Sequence, residues 1–366
     1  MPNYSSTPPI SLPDQTLETT TPRKRVAGAD LTPLFVREWH HGASAQSKLV
    51  SVFASRLIRP ALGVWAHNTQ RAWPSIVDRV AAWLPAPART SVLPVQLPQC
   101  EGEWVRADGA DTSRAILYLH GGAFIACGLN THRGTVARLS KFSGAPALNV
   151  EYRMLPGHPV TTALQDCLDG YRHLLDIGYG SADITICGDS AGGYLVFMTA
   201  LQLLNENIPA PAGLAVFSPL TDADIAHKVA DSANSDNTMF SHDAVVALAK
   251  HIETSQAAVS VDCTAGPLLS PVEQDLSGMP PVLIHVGENE LLRADAEMMA
   301  QRLIEAGTPC ELHVWDRQVH DFPLSAKITP EGEAALRSTG RFVRRVTGLE
   351  STNRLAQRNS HHHRRA

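Results

Sequence analysis

The apolar run Ile184-Thr185-Ile186-Cys187 leads directly into Gly188-Asp189-Ser190-Ala191-Gly192-Gly193, after which a helical pattern begins. A G-x-S-x-G pentapeptide is common by chance. Its meaning comes from the strand, sharp turn and helix around it. A serine at the tip of such a turn is exposed in strained dihedrals, and small residues two before and two after it keep strand and helix from colliding. The turn also points the Ala191 N–H and the helix N-terminus at the reacting oxygen. The chemistry this predicts is nucleophilic attack by Ser190 on an acyl carbon. A purely structural glycine-rich turn is the alternative, and the flanking elements favour the nucleophile.

Such a serine needs donors for a developing oxyanion, a base and an acid. The run ending at Leu119 is followed by His120-Gly121-Gly122-Ala123-Phe124. A double glycine leaves backbone N–H groups unobstructed, so Gly121 and Gly122 are expected to supply two donors and Ala191 a third. His120 is expected to orient that loop. Where a serine sits on a strand-to-helix elbow, the chain order is serine, acid, histidine. The base is therefore sought late, and His320 follows the run Leu312–Trp315 within Val319-His320-Asp321-Phe322. His313 and His285 lie inside apolar runs, and His285 reads as a core histidine. The acid should follow Val286, in Gly287-Glu288-Asn289-Glu290-Leu291-Leu292-Arg293-Ala294-Asp295. Glu290 is preferred, with Asp295 and Glu288 left open. A carboxylate beside a helix start already has an explanation in the helix dipole.

The elements that must position these residues emerge from the periodicity. Short apolar runs at Ala115–Leu119, Ala147–Tyr152, Ile184–Cys187, Leu214–Phe217, Val282–Val286 and Leu312–Trp315 alternate with helical stretches. The helical candidates are Arg133–Phe142, Thr161–Ile177, Gly192–Asn205 and Arg293–Ala306. Near-continuous apolar strands between helices predict a mostly parallel sheet covered on both faces, with sites at the C-terminal strand ends. Thr221–Thr264 interrupts the alternation with helical pieces such as Ala244–Ile252, a good position for a lid. From Leu31 to Leu84 the pattern is helical throughout, with Leu49, Phe53, Leu57, Ile58, Leu62 and Trp65 at three- and four-residue steps. Pro60 should bend or split that helix, and Trp73, Val77, Val80 and Trp83 form a second apolar face. The expectation is that the first stripe packs on the core. An interfacial helix, with Arg56 and Arg59 at a membrane surface, is the alternative.

Composition bounds the partners. The 366 residues carry 31 basic and 36 acidic side chains, a net charge of −5, which gives no reason to expect nucleic acid. Cys100, Cys127, Cys167, Cys187, Cys263 and Cys310 show no C-x-x-C spacing, so a reducing, cytoplasmic setting is expected and a metal site is not. The Ser/Thr/Pro-rich start lacks the apolar segment of a signal peptide. No apolar stretch reaches the roughly 20 residues that span a bilayer, so no stable membrane insertion is expected, although peripheral contact remains open. His361-His362-His363-Arg364-Arg365 reads as part of a disordered tail.

Together these residues resemble the hormone-sensitive-lipase-like esterases, the bacterial family IV carboxylesterases. The resemblance runs from about Ala115 to Phe322. It rests on His120-Gly121-Gly122-Ala123-Phe124, Gly188-Asp189-Ser190-Ala191-Gly192-Gly193, Glu290-Leu291-Leu292-Arg293-Ala294-Asp295 and His320-Asp321-Phe322. Glu151-Tyr152-Arg153-Met154-Leu155-Pro156-Gly157-His158-Pro159 is similar to the family's D-Y-R-L-A-P-E-H-P stretch, and Pro219-Leu220 and Ser270-Pro271 fall where the family flanks its cap. The resemblance implies an α/β-hydrolase fold: a mostly parallel central sheet of about eight strands flanked by helices, with a helical cap and no cofactor. It divides the chain into a tail (1–27), an N-terminal helical cap segment (28–99), core (100–220), cap insertion (221–265), core (266–348) and tail (349–366). It implies hydrolysis of small-molecule carboxylic esters of short to medium chain through an acyl-enzyme, by a monomer or homodimer. Amides or formamides are the alternative substrates. A catalytically inactive ligand-binding homologue is the alternative class, which the presence of His320 opposes. Ala123 replaces the last glycine of the family's H-G-G-G, and Glu151 and Gly157 replace Asp and Glu, changes expected to affect support around Arg153. Glu290 stands where most members have Asp.

Overall fold

Successive residues of a strand point to opposite faces, and a strand buried on both must be apolar throughout. The runs read from the sequence meet that condition apart from Asn149, Glu151, Thr185, His285 and His313. The computed structural model describes residues 34–66, 73–83, 87–224, 228, 239–260 and 268–348. The two terminal segments expected to be tails, and Cys263, lie outside the described residues. The strands are β1 (Phe35–His40), β2 (Thr90–Gln96), β3 (Glu101–Ala107), β4 (Ala115–Leu119), β5 (Ala147–Glu151), β6 (Ile184–Asp189), β7 (Gly213–Phe217), β8 (Val282–Gly287) and β9 (Cys310–Trp315). They form one nine-stranded sheet in the order β1-β9-β8-β7-β6-β4-β5-β3-β2. The order from β1 to β5 is parallel, and β3 alone runs against the others, pairing antiparallel with β5 on one side and with the edge strand β2 on the other.

Helices cover both faces. On one, α5 (Val160–Asp176), α6 (Ser190–Asn205) and α8 (Arg293–Glu305) pack on Leu117, Ile186, Leu214 and Ile284. On the other, α4 (Leu129–Ser143) and α9 (Pro330–Val346) pack on Ile116, Cys187, Ala215 and Leu283. The pairs Ile116/Leu117, Ile186/Cys187 and Leu283/Ile284 thus divide between two cores. Ile184 and Ile186 of β6 and Leu214 and Val216 of β7 face the three-helix side, whereas Phe217 packs with Trp315, Phe322 and Leu336.

The N-terminal piece is not all helical. Phe35–His40 is an edge strand paired in parallel with β9, Phe35 opposite Cys310 and His40 opposite Trp315. Its exposure keeps polar residues among apolar ones, and that hid its period. His40 Nε2 shares a hydrogen bond with His313 Nδ1 at 2.9 Å, and the His40 ring stacks 3.7 Å from Trp315. The expected helix does follow, as α1 (Ala45–Phe53), a π-helical turn (Ala54–Ile58) and α2 (Arg59–Ala66). The wide turn lies immediately before Pro60, which can neither donate to the carbonyl four residues back nor tolerate its approach. α3 (Trp73–Ala81) and α7 (His242–Ser260) complete the helices named here.

The expected stripe packs on the protein only in part, through Ile58 and the buried Trp65. Leu49, Phe53 and Leu57 are exposed, while Ser47 and Ala54 are buried and Val50 and Ile58 are partly buried. The small residues set the contact, because they let the helix backbone come close. Ser44 and Ser47 hydroxyls both donate to Glu331 Oε2 of α9, at 2.9 and 2.6 Å. α2 lies against α7, with Trp65 edge-on to His251 at 5.6 Å. Among the described residues no helix is long and apolar enough to cross a membrane.

Candidate active site

The strand order places the chemistry. β9, β8, β7, β6 and β4 are consecutive neighbours, and their C-terminal ends release His320, Glu290, Ser218, Ser190 and the Gly121–Gly122 loop in that sequence across the sheet. Sites of open parallel sheets collect at this edge.

Ser190 begins α6 and has φ of 51°, the left-handed conformation expected of the elbow. The closeness it imposes is measurable at Gly192, where a Cβ would meet Leu119 O at 2.0 Å and His120 O at 2.5 Å. Ser190 Oγ lies 2.9 Å from His320 Nε2. The other ring nitrogen, Nδ1, faces Glu290 Oε1 at 3.4 Å. Glu290 Oε2 accepts from Ser218 Oγ at 2.7 Å and from the Gly287 N–H at 2.9 Å, so the carboxylate is held in place while Oε1 addresses the imidazole. This arrangement can take a proton from Ser190 onto Nε2 and stabilise the resulting imidazolium.

The competing acids have other work. Asp295 is fully buried, pairs with Lys228 at 3.0 Å and accepts from the Thr221 and Asp222 N–H groups at 2.8 and 3.0 Å. It therefore fastens the chain where the 221–265 insertion leaves β7. Glu288 accepts from the Arg317 N–H at 3.2 Å. Neither is among the carboxylates in contact with His320, which are Glu290 and Asp321.

The loop after β4 holds a correction. The Gly121 N–H donates to Asp189 Oδ2 at 3.0 Å, so it is committed and does not offer a free donor to an oxyanion. Asp189 also accepts from Tyr118 Oη at 2.7 Å and from His132 Nε2 at 3.1 Å. Burial opposes charge on both Asp189 and His132. Their attraction outweighs it, holding the carboxyl below its ordinary pKa and the imidazole above. Gly122, at φ of 118°, is required on its own account, since a Cβ there would meet Ala126 O at 1.9 Å. Ala191 lies in the first turn of α6, where backbone N–H groups have no intrahelical acceptor. His120 orients the loop as expected: Nδ1 bonds Gly121 O at 2.8 Å, and the ring stacks on Tyr152 at 4.2 Å. Burial lowers its pKa to about 4, so the imidazole is neutral and Nδ1 carries the proton.

The expected support around Arg153 is also revised. Arg153 binds buried Asp166 through Nε and Nη2, at 3.0 and 2.7 Å, whereas Glu151 caps α4 by accepting from the Leu129 N–H at 2.9 Å. His285 is a core histidine, accepting from Trp315 Nε1 at 3.1 Å.

Three participants escaped the sequence reading. Ser218 follows an apolar strand, and only knowledge that β7 neighbours β8 could have pointed to it. Asp189 was legible inside the motif but not as an anchor, and His132 is a lone histidine on a helix. Asp321 Oδ2 lies 3.1 Å from His320 Nε2. Burial is the largest influence on that imidazole and lowers its pKa, but Asp321 and Glu290 together raise it well above the ordinary value. Asp321 itself is pushed up to about 7, first by burial. Phe240 closes one side, its ring edge-on to His320 at 5.4 Å, backed by Val245, Leu291 and Leu292.

Known proteins resemble this chain in sequence and fold. A family model described as the alpha/beta hydrolase fold matches residues 116–324. Esterase LipU of Mycobacterium tuberculosis is 42% identical over 297 residues, covering 80% of this chain and 99% of the relative. The carboxylesterase/phospholipase LipF of the same organism is 35% identical over 328 residues, covering 88% and 87%. The crystal structure of an esterase from the bacterial hormone-sensitive lipase family superposes with a TM-score of 0.71 at 27% identity, covering 84% of this chain and all of that one. With these likenesses on the fold and catalytic edge just described, the chain belongs to the α/β-hydrolase family, among its hormone-sensitive-lipase-like carboxylesterases.

Proposed function

We propose that this esterase works through a Ser190–His320–Glu290 triad and an acyl-enzyme. The observation that carries the proposal is the continuous path Ser190 Oγ–His320–Glu290, at 2.9 and 3.4 Å, on adjacent loops of one sheet edge. Ser190 Oγ attacks the ester carbonyl as its proton passes to His320 Nε2. The oxyanion is held by the Gly122 and Ala191 N–H groups, with Gly121 fixing the loop through Asp189. Nε2 returns the proton to the departing alcohol, water then attacks the acyl-serine with Nε2 as base, and Ser190 is regenerated.

The substrates this reading favours are small-molecule esters with short to medium acyl chains. The support is the apolar group of Phe240, Val245, Leu291 and Leu292, which bounds the space beside His320. The cap is assigned to the N-terminal helices and the 221–265 insertion, in keeping with the packing of α2 on α7. Hydrolysis of p-nitrophenyl esters from acetate to palmitate tests the proposal. Turnover should peak between acetate and octanoate and vanish in Ser190→Ala. A maximum at palmitate would overturn the chain-length assignment, and an active Ser190→Ala would overturn the mechanism.

A further inference from the structure

The N-terminal helices turn an unusual amount of apolar surface outward. Leu49 is 69% exposed, and Phe53, Leu57 and Val64 continue the same outward line through the π-helical turn into α2. On α3 and just beyond it, Val80 is exposed and Trp83 is 90% exposed. Isolated exposed apolar residues are ordinary, whereas a contiguous group of long side chains marks an interaction surface.

The charge carried by α1 and α2 has one sign, whereas α3 carries Asp78 beside Arg79. From Gly42 to Val77 the sequence contains Lys48, Arg56, Arg59 and Arg71 and no aspartate or glutamate, although the chain as a whole carries −5. Lys48 and Arg56 are exposed beside the apolar line. On α1 and α2, apolar side chains bordered by lysine and arginine, with no acid in either helix, match the boundary between acyl chains and anionic headgroups. A second copy of this chain, net acidic as it is, offers a less specific match.

The surface also lies at the catalytic end. Val50 and Ile58 pack with Trp315, Val319 and Phe322, the loop that carries His320. α2 rests on α7, which starts two residues after Phe240, the ring against His320. On α3, Asp78 accepts from the Thr131 N–H at 2.8 Å and from Asn130 Nδ2 at 2.7 Å, at the start of the helix that follows the Gly121–Gly122 loop. Each helix bearing outward apolar residues is therefore attached to a different side of the site.

We propose that the outward faces of α1, α2 and α3 dock the protein on an anionic lipid surface, with the catalytic end of the sheet turned toward it. The docking stands on the surface alone. Delivery of ester substrate from the lipid rests, in addition, on the esterase reading above.

The test is sedimentation of full-length Ser190→Ala protein with phosphatidylcholine vesicles and with vesicles that also contain phosphatidylglycerol, whose anionic headgroups give the surface a negative potential. The expected result is binding to the anionic vesicles at least tenfold stronger than to the neutral ones, weakened by salt. Phe53→Asp/Leu57→Asp should lower it a further tenfold or more. In the Ser190 background the same double substitution should leave hydrolysis of soluble p-nitrophenyl butyrate within about twofold, which also shows that the variant folds. Absence of binding to either vesicle, or binding indifferent to the double substitution, overturns the proposal. So does a dimer in light scattering that the substitution dissolves, since that outcome gives the face to a second copy. Vesicle binding without butyrate hydrolysis by the wild-type chain would instead refute the esterase reading and leave the docking intact.

Discussion

Asp321 Oδ2 and Ser190 Oγ both reach His320 Nε2, at 3.1 and 2.9 Å. The nitrogen proposed to accept the serine's proton thus has a buried carboxylate as a second neighbour. Asp321 is fixed for this by φ of 52° and by its N–H, which donates to Ser218 Oγ at 3.2 Å. Ser218 in turn donates to Glu290, so one hydroxyl aligns the acid on Nδ1 and the acid near Nε2.

That geometry sets the pH dependence. The base works only when Nε2 is free of a proton, so activity should rise with pH through the His320 pKa. Burial lowers that pKa, but Asp321 and Glu290 raise it further, so the acid limb of kcat/KM should lie above the ordinary histidine value. Asp321→Asn removes the negative neighbour, and the limb should move to lower pH with gained activity in mild acid. A pH–rate profile of both proteins checks this. An unmoved limb would show that the Asp321 contact does not tune the base.

Ser190→Ala should lower kcat by about 10⁶, the loss seen where a triad acts as a unit. An organophosphate should label Ser190 and no other serine, which mass spectrometry of the digested adduct reads directly.

The three acids after β8 should separate by kind of damage. Glu290→Gln should cost about 10⁴ in kcat with little loss of stability, because oxyanion donors and binding remain. Asp295→Asn leaves buried Lys228 without its counter-charge and should cost about 3–5 kcal/mol of stability while the folded fraction keeps its kcat. Glu288→Gln, at a carboxylate that accepts from the Arg317 N–H, should change neither by much. Urea unfolding beside steady-state kinetics distinguishes them. A catalytic loss larger for Asp295→Asn than for Glu290→Gln would reassign the acid.

Asp189→Asn should loosen the anchor of the Gly121–Gly122 loop without touching the triad. A misplacement of about 1 Å in catalytic geometry can cost about 10², so kcat should fall by that order while labelling of Ser190 continues. Loss of both together would point instead to a displaced Ser190.

What the sequence disclosed depended on burial. β4 to β9 announced themselves because both their faces are covered, leaving little room for polar residues. β1 and β2 lie at the sheet edges, and their half-exposed residues break the period that would betray them. That Ser190 and His320 would meet was legible because their local motifs are demanding. Ser218 and His132 were not, since their roles come from neighbours across the sheet at sequence distances of 72 and 57 residues. The Leu49–Phe53–Leu57 stripe shows a further limit: period reveals that a helix has an apolar side, but small residues such as Ser47 and Ala54 decided which side faces the protein.

The pairing of β1 with β9 has a consequence for the chain while it is being made. Phe35 meets Cys310, and Ser44 and Ser47 wait for Glu331. A ribosome adding about 5–20 residues per second needs roughly 15 to 60 seconds between emitting the first strand and its partner. During that interval the exposed apolar line of α1 and α2 has no anchor on the sheet. The first strand described is thus among the last to be paired, and the inward residues of α1 and the turn after it, Ser47, Val50 and Ala54, stay uncovered for as long.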